Sequence, residues 1–214
     1  DLLPTAPTPG KIIKKETDAK NGIEKWTLSN GATVYIKPTD FKNDEILVQA
    51  ISPGGSSLYD LNDVYTISNS APIVNESGFG DFDKNSLNKA LAGKTVSFTP
   101  FIKELEEGIN ASASPKDLET LMQLIYLNFT SPRKDSLIFQ SYISKNKGLY
   151  SNLLANPMVY FQKTILETIF QNNPRRSFPA VGDFDKINFD KSISFYKDRF
   201  SNAGDFNFVI VGNV

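Results

Sequence analysis

Few clusters in this sequence have residue types and spacing that could do chemistry. Asp81-Phe82-Asp83-Lys84-Asn85 opens like a calcium loop, in which alternate side-chain oxygens surround the ion. Such a loop also needs glycine sixth and glutamate twelfth, and those positions hold Ser86 and Ala92. Helix capping by Asp83 is the better reading. Gly54-Gly55 and Gly78-x-Gly80 could cradle a phosphate, but neither precedes the Lys-Ser/Thr or sits in the βαβ unit that such loops need, so both read as turns. Glu104, Glu106 and Glu107 offer carboxylates for acid–base or oxygen-ligand work; strand alternation would put Glu104 and Glu106 on one face, toward solvent. Arg175-Arg176, after Asn173-Pro174, could hold a carboxylate or a neighbouring domain, or form a plain solvated turn. The Asn-x-Ser/Thr triplets at Asn75, Asn110 and Asn128 are short enough to arise by chance. None of these is assigned as a catalytic, cofactor-binding or metal residue.

What is absent narrows the field further. The 214 residues include no cysteine, which removes disulfides, thiol catalysis and thiolate metal sites, and no histidine. Without histidine there is no Ser-His-Asp triad, no usual zinc ligand and no common general base near neutral pH. A net charge of -1 with mixed signs gives no basic block for nucleic acid. No apolar run reaches the ~18 residues of a membrane span. At 40% hydrophobic and 22% charged, the composition is that of an ordinary globular domain.

The elements that would position any site are legible in order. Residues 1–10, with Pro4, Pro7 and Pro9, read as an inter-domain linker, and the missing initiator Met suggests a piece of a longer chain; no signal peptide is expected there. Residues 11–214 read as a single α+β unit. Strands are expected at 12–16, 24–28 and 32–37, the last two joined by an Asn30-Gly31 hairpin turn. Residues 45–52 are nearly continuously apolar, which suggests a strand central in its sheet. A helix over 62–76 contains Pro72, which should break or kink it. A short helix at 83–92 and strands at 94–102 and 104–111 follow.

Ser114-Pro115, Ser131-Pro132 and Asn156-Pro157 then each place a capping side chain before a proline, opening helices. The first aligns Leu118, Leu121, Met122, Ile125 and Phe129; the second spans 132–154; the third aligns Met158, Phe161, Ile165 and Ile169. A fourth, 189–200, aligns Phe189, Ile193, Tyr196 and Phe200 before a last strand at 205–211. The order predicts an α+β fold, one mixed sheet with helices packed on one face. GDFDK recurs at 80–84 and 182–186, each time just before a helix, which suggests shared capping chemistry.

LSNGATVYIKP followed by EILVQAISPGGSS resembles the opening of a repeat in the pitrilysin/insulinase zinc peptidases. The resemblance continues through SASPKDLETLMQLIYLNFTSPRKD, NNPRRSFPAVGDFDKINFDKSISFYKDRF and the closing FNFVIVGNV, and so covers nearly everything after residue 11. It implies the mitochondrial-processing-peptidase/LuxS-like metallohydrolase fold. A catalytic repeat of that family carries His-x-x-Glu-His on the helix after the Gly-Ser strand, with a further glutamate from a later helix. Here that motif would fall near Ser68-Asn69-Ser70-Ala71-Pro72, and there is no acid between Asp135 and Glu167.

The resemblance therefore implies a non-catalytic repeat, the third of four, of a bacterial zinc endopeptidase. Such a repeat walls the substrate chamber and packs against the zinc-bearing half. It implies no cofactor in this stretch, zinc in the catalytic half, and as partners the other repeats or a catalytic subunit and a peptide or unfolded-protein substrate. Family habit suggests a periplasmic or other extracytoplasmic location. The alternative is a non-enzymatic binding or scaffold protein that keeps the fold.

Overall fold

The computed structural model describes all 214 residues, Asp1–Val214. Seven strands, β1 (Ile12–Asp18), β2 (Ile23–Leu28), β3 (Thr33–Pro38), β4 (Ile46–Pro53), β5 (Val96–Ile102), β6 (Glu106–Ala113) and β7 (Asn207–Gly212), form one sheet in the order β1-β2-β3-β7-β4-β6-β5. Only β3 and β7 run parallel; every other pair is antiparallel. The helices are α1 (Val64–Ser77), α2 (Lys84–Ala90), α3 (Leu118–Thr130), α4 (Ser136–Leu154), α5 (Pro157–Ile169) and α6 (Phe189–Arg199). This is the expected α+β architecture, a mixed sheet with helices on one face.

β4 is interior, as expected, but its two faces differ. Ile46, Val48, Ala50 and Ser52 are buried under the helices, while Leu47 and Gln49 on the other face are exposed. The strand reads as continuously apolar because Leu47 and Ile51 lie on the open face, not because both faces are covered. The Asn30-Gly31 turn closes β2–β3 as expected, with Gly31 at φ 90 and Trp26 opposite Val34. Beneath the sheet, Tyr196 of α6 and Phe200 just past its end stack with ring centroids 4.6 Å apart, and Phe129 of α3 meets Phe206 edge-on at 5.0 Å. These residues and Leu121, Leu124 and Ile193 belong to one core. Leu2 joins that core, its N–H donating to Gln123 Oε1 at 2.7 Å, while residues 4–10 are exposed without regular structure.

Four expectations need correction. Pro72 does not end α1, which continues through it to Ser77. Pro72 faces solvent, so the Ser68 carbonyl that loses its partner can be hydrated, while Ile67, Ile73 and Val74 on the other side are fully buried. A mid-helix proline costs about 3 kcal/mol; each of those side chains contributes roughly 1.5–3 kcal/mol on burial, and burial wins. The long helix starts at Ser136, not Pro132. The Ser131 N–H still bonds the Leu127 carbonyl of α3 at 2.8 Å and Pro132 bridges to Phe79, so Asp135 is the cap, accepting from Leu137 N at 3.0 Å. The strand expected from residue 104 starts at Glu106. Ser114 does not cap either: its hydroxyl donates to Asp117 at 2.7 Å, and a 3₁₀ turn (Pro115–Asp117) leads into α3. Asn156 caps α5 as read, accepting from Met158 N at 2.9 Å.

Candidate functional site

The exposed stripe of α1, where the sequence placed the motif position, forms the ridge between two clefts. Ser68 and Pro72 point to solvent; Ser70 and Ala71 are buried, and the Ser70 hydroxyl donates to the Thr66 carbonyl at 2.9 Å. Asn69 is locked at both ends of its amide: Nδ2 donates to the Tyr65 carbonyl at 2.7 Å, and Oδ1 accepts from the Tyr142 hydroxyl of α4 at 2.6 Å. Burial, reinforced by the nearby Tyr150 and Glu76, pushes the Tyr142 phenol up to about 12, so it stays a donor. One cleft, about 450 Å³, runs between α4 and the edge strand β5 and is lined by Pro72, Asn75, Glu76, Thr99, Tyr142 and Lys145 among others. The other, about 210 Å³, lies beyond Ser68 and Asn69 and is lined by Ser56, Tyr65, Lys103, Glu104 and Arg175.

Of the residues singled out in the sequence, the second cleft gathers Ser68, Asn69, Glu104 and Arg175, and its walls are tied to each other. Beyond β4 the chain turns through Gly54 (φ 152) and Gly55 (φ 67). The Gly55 N–H donates to Glu107 Oε2 at 2.6 Å, and the N–H groups of Ser56 and Ser57 donate to the carbonyls of Lys103 and Glu104, each at 2.8 Å. No N–H of this turn is left for a phosphate. A Cβ at Gly55 would stand 2.5 Å from the Lys103 carbonyl, which is why glycine is required. Arg175 clamps the same turn, Nη1 donating to the Ser56 carbonyl at 2.7 Å and Nη2 to the Tyr59 carbonyl at 2.6 Å. Arg176 pairs with Glu104 at 2.6 Å. The arginine pair thus holds a loop of its own chain, not a solvated turn.

The three glutamates separate. Glu104 lies in the β5–β6 turn with Arg176, and Glu106 pairs with Lys103 at the surface, at 2.6 Å. The shared strand face expected for them does not exist. Glu107 occupies a helix-facing position of β6 and is 2% exposed, with Arg199 Nη1 3.8 Å away as its counter-charge. Arg199 also donates from Nε to the Tyr59 hydroxyl at 3.0 Å, and Tyr59 donates to Asp198. Burial, then the bond to Asp198, pushes the Tyr59 phenol up to about 12; the bond from Tyr59, then that from Arg199, holds the Asp198 carboxyl below its ordinary value. Sequence reasoning missed Tyr59, Tyr142, Asp198 and Arg199, and no local spacing marks them.

The remaining candidates resolve into structure. Asp83 caps α2 through Ser86 N at 2.7 Å, so its carboxylate does not open a calcium loop. Asp183 in the second GDFDK sits in a 3₁₀ segment and accepts from Ala180 N at 2.8 Å and Lys186 at 2.7 Å. Burial opposes its ionisation, but those bonds outweigh it and its carboxyl lies below the ordinary value. Asn128 is fully buried and accepts from Tyr196.

No family model matches the chain. It is 22% identical to the probable zinc protease PqqL of Haemophilus influenzae over 96% of its length, and 26% identical to that of Escherichia coli over 95%. Its homologues are PqqL-like zinc proteases, of the pitrilysin family. The chain spans about a fifth of the length of these relatives, 22% in both. All of it superposes on 23% of the periplasmic protease PqqL of E. coli, with a TM-score of 0.81 at 24% identity. The ferredoxin protease FusC, solved in complex with Arabidopsis ferredoxin, gives 0.80 at 19% identity over 99% of this chain and 23% of its own. The first half of PqqL taken alone gives 0.67 at 12% identity, over 94% of this chain and 44% of that half. The stronger PqqL match therefore lies outside the first half, and that protein holds this fold at least twice.

The side chains on α1 do not suit zinc. Serine, asparagine, alanine and proline supply neither imidazole nor carboxylate. Glu76 is exposed on the next turn and Glu104 is engaged by Arg176, and no three histidine, cysteine, aspartate or glutamate side chains lie close enough together to hold a metal ion.

Proposed function

We propose that this chain is a non-catalytic unit of a longer zinc-dependent endopeptidase, the third of four related repeats. It walls the chamber that takes a polypeptide substrate and packs against the zinc-bearing half. Residues 1–10 link it to the preceding unit, and 11–214 form the repeat. One observation carries the reading: the helix on which the family places zinc is intact and exposed along one stripe, yet Ser68, Asn69 and Pro72 occupy that stripe, with Asn69 already tied to Tyr142. The position of the stronger PqqL match outside that protein's first half supports a place in the second half. FusC, solved with a protein bound, supports a polypeptide substrate, and the periplasmic relative supports an extracytoplasmic location.

The test uses the whole polypeptide that contains this chain. It should bind zinc, cleave an unfolded protein, and lose that cleavage on chelation. Ser68→Ala and Glu76→Gln should leave the zinc content unchanged and kcat within about twofold. Zinc loss in either variant, or a fall in kcat on the order of a hundredfold, would put the chemistry here and overturn the proposal. A polypeptide with no His-x-x-Glu-His anywhere would favour the scaffold reading instead.

A further inference from the structure

The apolar stripe that the sequence assigned to the core on α5 is not in the core. Met158, Phe161, Ile165 and Ile169 are 63%, 60%, 38% and 65% exposed, and no residue of α5 is buried. At about 100° per residue these four fall in one narrow arc. α5 packs on α4, and its half-buried residues, Val159, Leu166 and the Lys163–Glu167 ion pair, fall on a different side from the stripe. A helix apolar on two sides belongs between two partners, and α4 supplies only one. α4 itself adds exposed Leu149 and Leu153 near the end joined to α5. None of these side chains belongs to the core of this chain, so the larger part of the stripe is left without a partner within it.

We infer that the outer stripe of α5 is the docking face for an adjoining unit of the same fold in the same polypeptide. This rests on the proposal that the chain is one repeat of several. The occupant follows from three observations. Only 22% of each of these relatives is covered by the stretch matched, so most of their chain lies elsewhere. PqqL carries a second copy of this fold, so a structurally related body is at hand in such a polypeptide. The stripe carries no charge, and the nearest charges on α5, Lys163 and Glu167, neutralise each other, so the fitting partner is an apolar face and not an acidic or nucleic-acid one. From Met158 to Ile169 the stripe runs about 16 Å, the length of an apolar helix face of three turns.

The chain has no cysteine, so a single introduced thiol reports on its own surroundings within this stretch. Phe161→Cys and, as a reference, Phe41→Cys at a loop position 92% exposed are each made in the whole polypeptide and labelled with a maleimide. The thiol at 161 should react roughly tenfold or more slowly than the one at 41. Equal rates would overturn the inference. Protection that disappears on dilution would mean that a second copy covers the stripe, and would overturn it too. So would a gene that encodes nothing beyond this chain. Zinc and peptide cleavage are read on the same preparation: an inactive but protected polypeptide sinks the peptidase reading and leaves the interface standing.

Discussion

Asp117 shows how a single polar residue ties the edge of the sheet to the helical layer. Its Oδ2 accepts from the Ser114 hydroxyl at 2.7 Å and from the Thr95 N–H at 2.9 Å, so one carboxylate holds the start of β5 and the lead into α3. The Ser114 bond first, then the Thr95 N–H, holds its carboxyl below the ordinary aspartate range. A depressed folded value means that the stabilisation is fully present above the unfolded pKa, about 3.9, and is lost as pH falls through the folded one. The stability gap between wild type and Asp117→Asn should therefore be constant near neutrality and close below about pH 4. Urea midpoints measured from pH 6 down to about pH 2.5 would show it; a gap independent of pH would mean that the charge is not what matters. Glu107 and Arg199, by contrast, could not have been paired from sequence. They meet because alternation along β6 turns Glu107 inward just where the end of α6 arrives, and neither has a telling neighbour.

At the scale of elements, local chemistry was legible wherever it was also the strongest force. The Asn156-Pro157 start of α5, the Asp83 cap of α2 and the Asn30-Gly31 turn were all readable, because each satisfies its own backbone groups without help from afar. Ser131-Pro132 misled because a tertiary bridge from Pro132 to Phe79 took the chain before a helix could start. Pro72 misled for a related reason: tertiary burial of α1 overrides the local penalty. That account makes a prediction. Pro72→Ala restores a donor opposite the Ser68 carbonyl at an exposed position, where the new methyl displaces nothing in the core. It should raise stability by roughly 1–3 kcal/mol, less than the full proline penalty because proline also restricts the unfolded chain. Thermal or urea unfolding would measure the gain, and a neutral or destabilising outcome would mean that the helix is shaped around the proline.

For the whole molecule, periodicity located the helices but not what covers them. The stripes on α3, α5 and α6 look alike in sequence; those on α3 and α6 meet the sheet and each other, and that on α5 has no place in the core of this chain. Burial is a property of the partner as well as of the helix, so no reading of one chain could separate them. That Ser68 to Pro72 include no imidazole, thiolate or carboxylate could be read from residue identity alone. The difference in burial should appear as a gradient of local stability. Amides in β4, β6 and β7, hydrogen-bonded on both sides within the sheet, open only with global unfolding; α5, packed on α4 and without a buried residue, opens at far lower cost. Hydrogen exchange on this chain should therefore find α5 the least protected of the long helices and the central strands the most. In the longer polypeptide α5 should gain protection while the central strands stay as they are. A core-like protection of α5 in this chain by itself would show that the helix needs no second partner, and the case for a docking face would go with it.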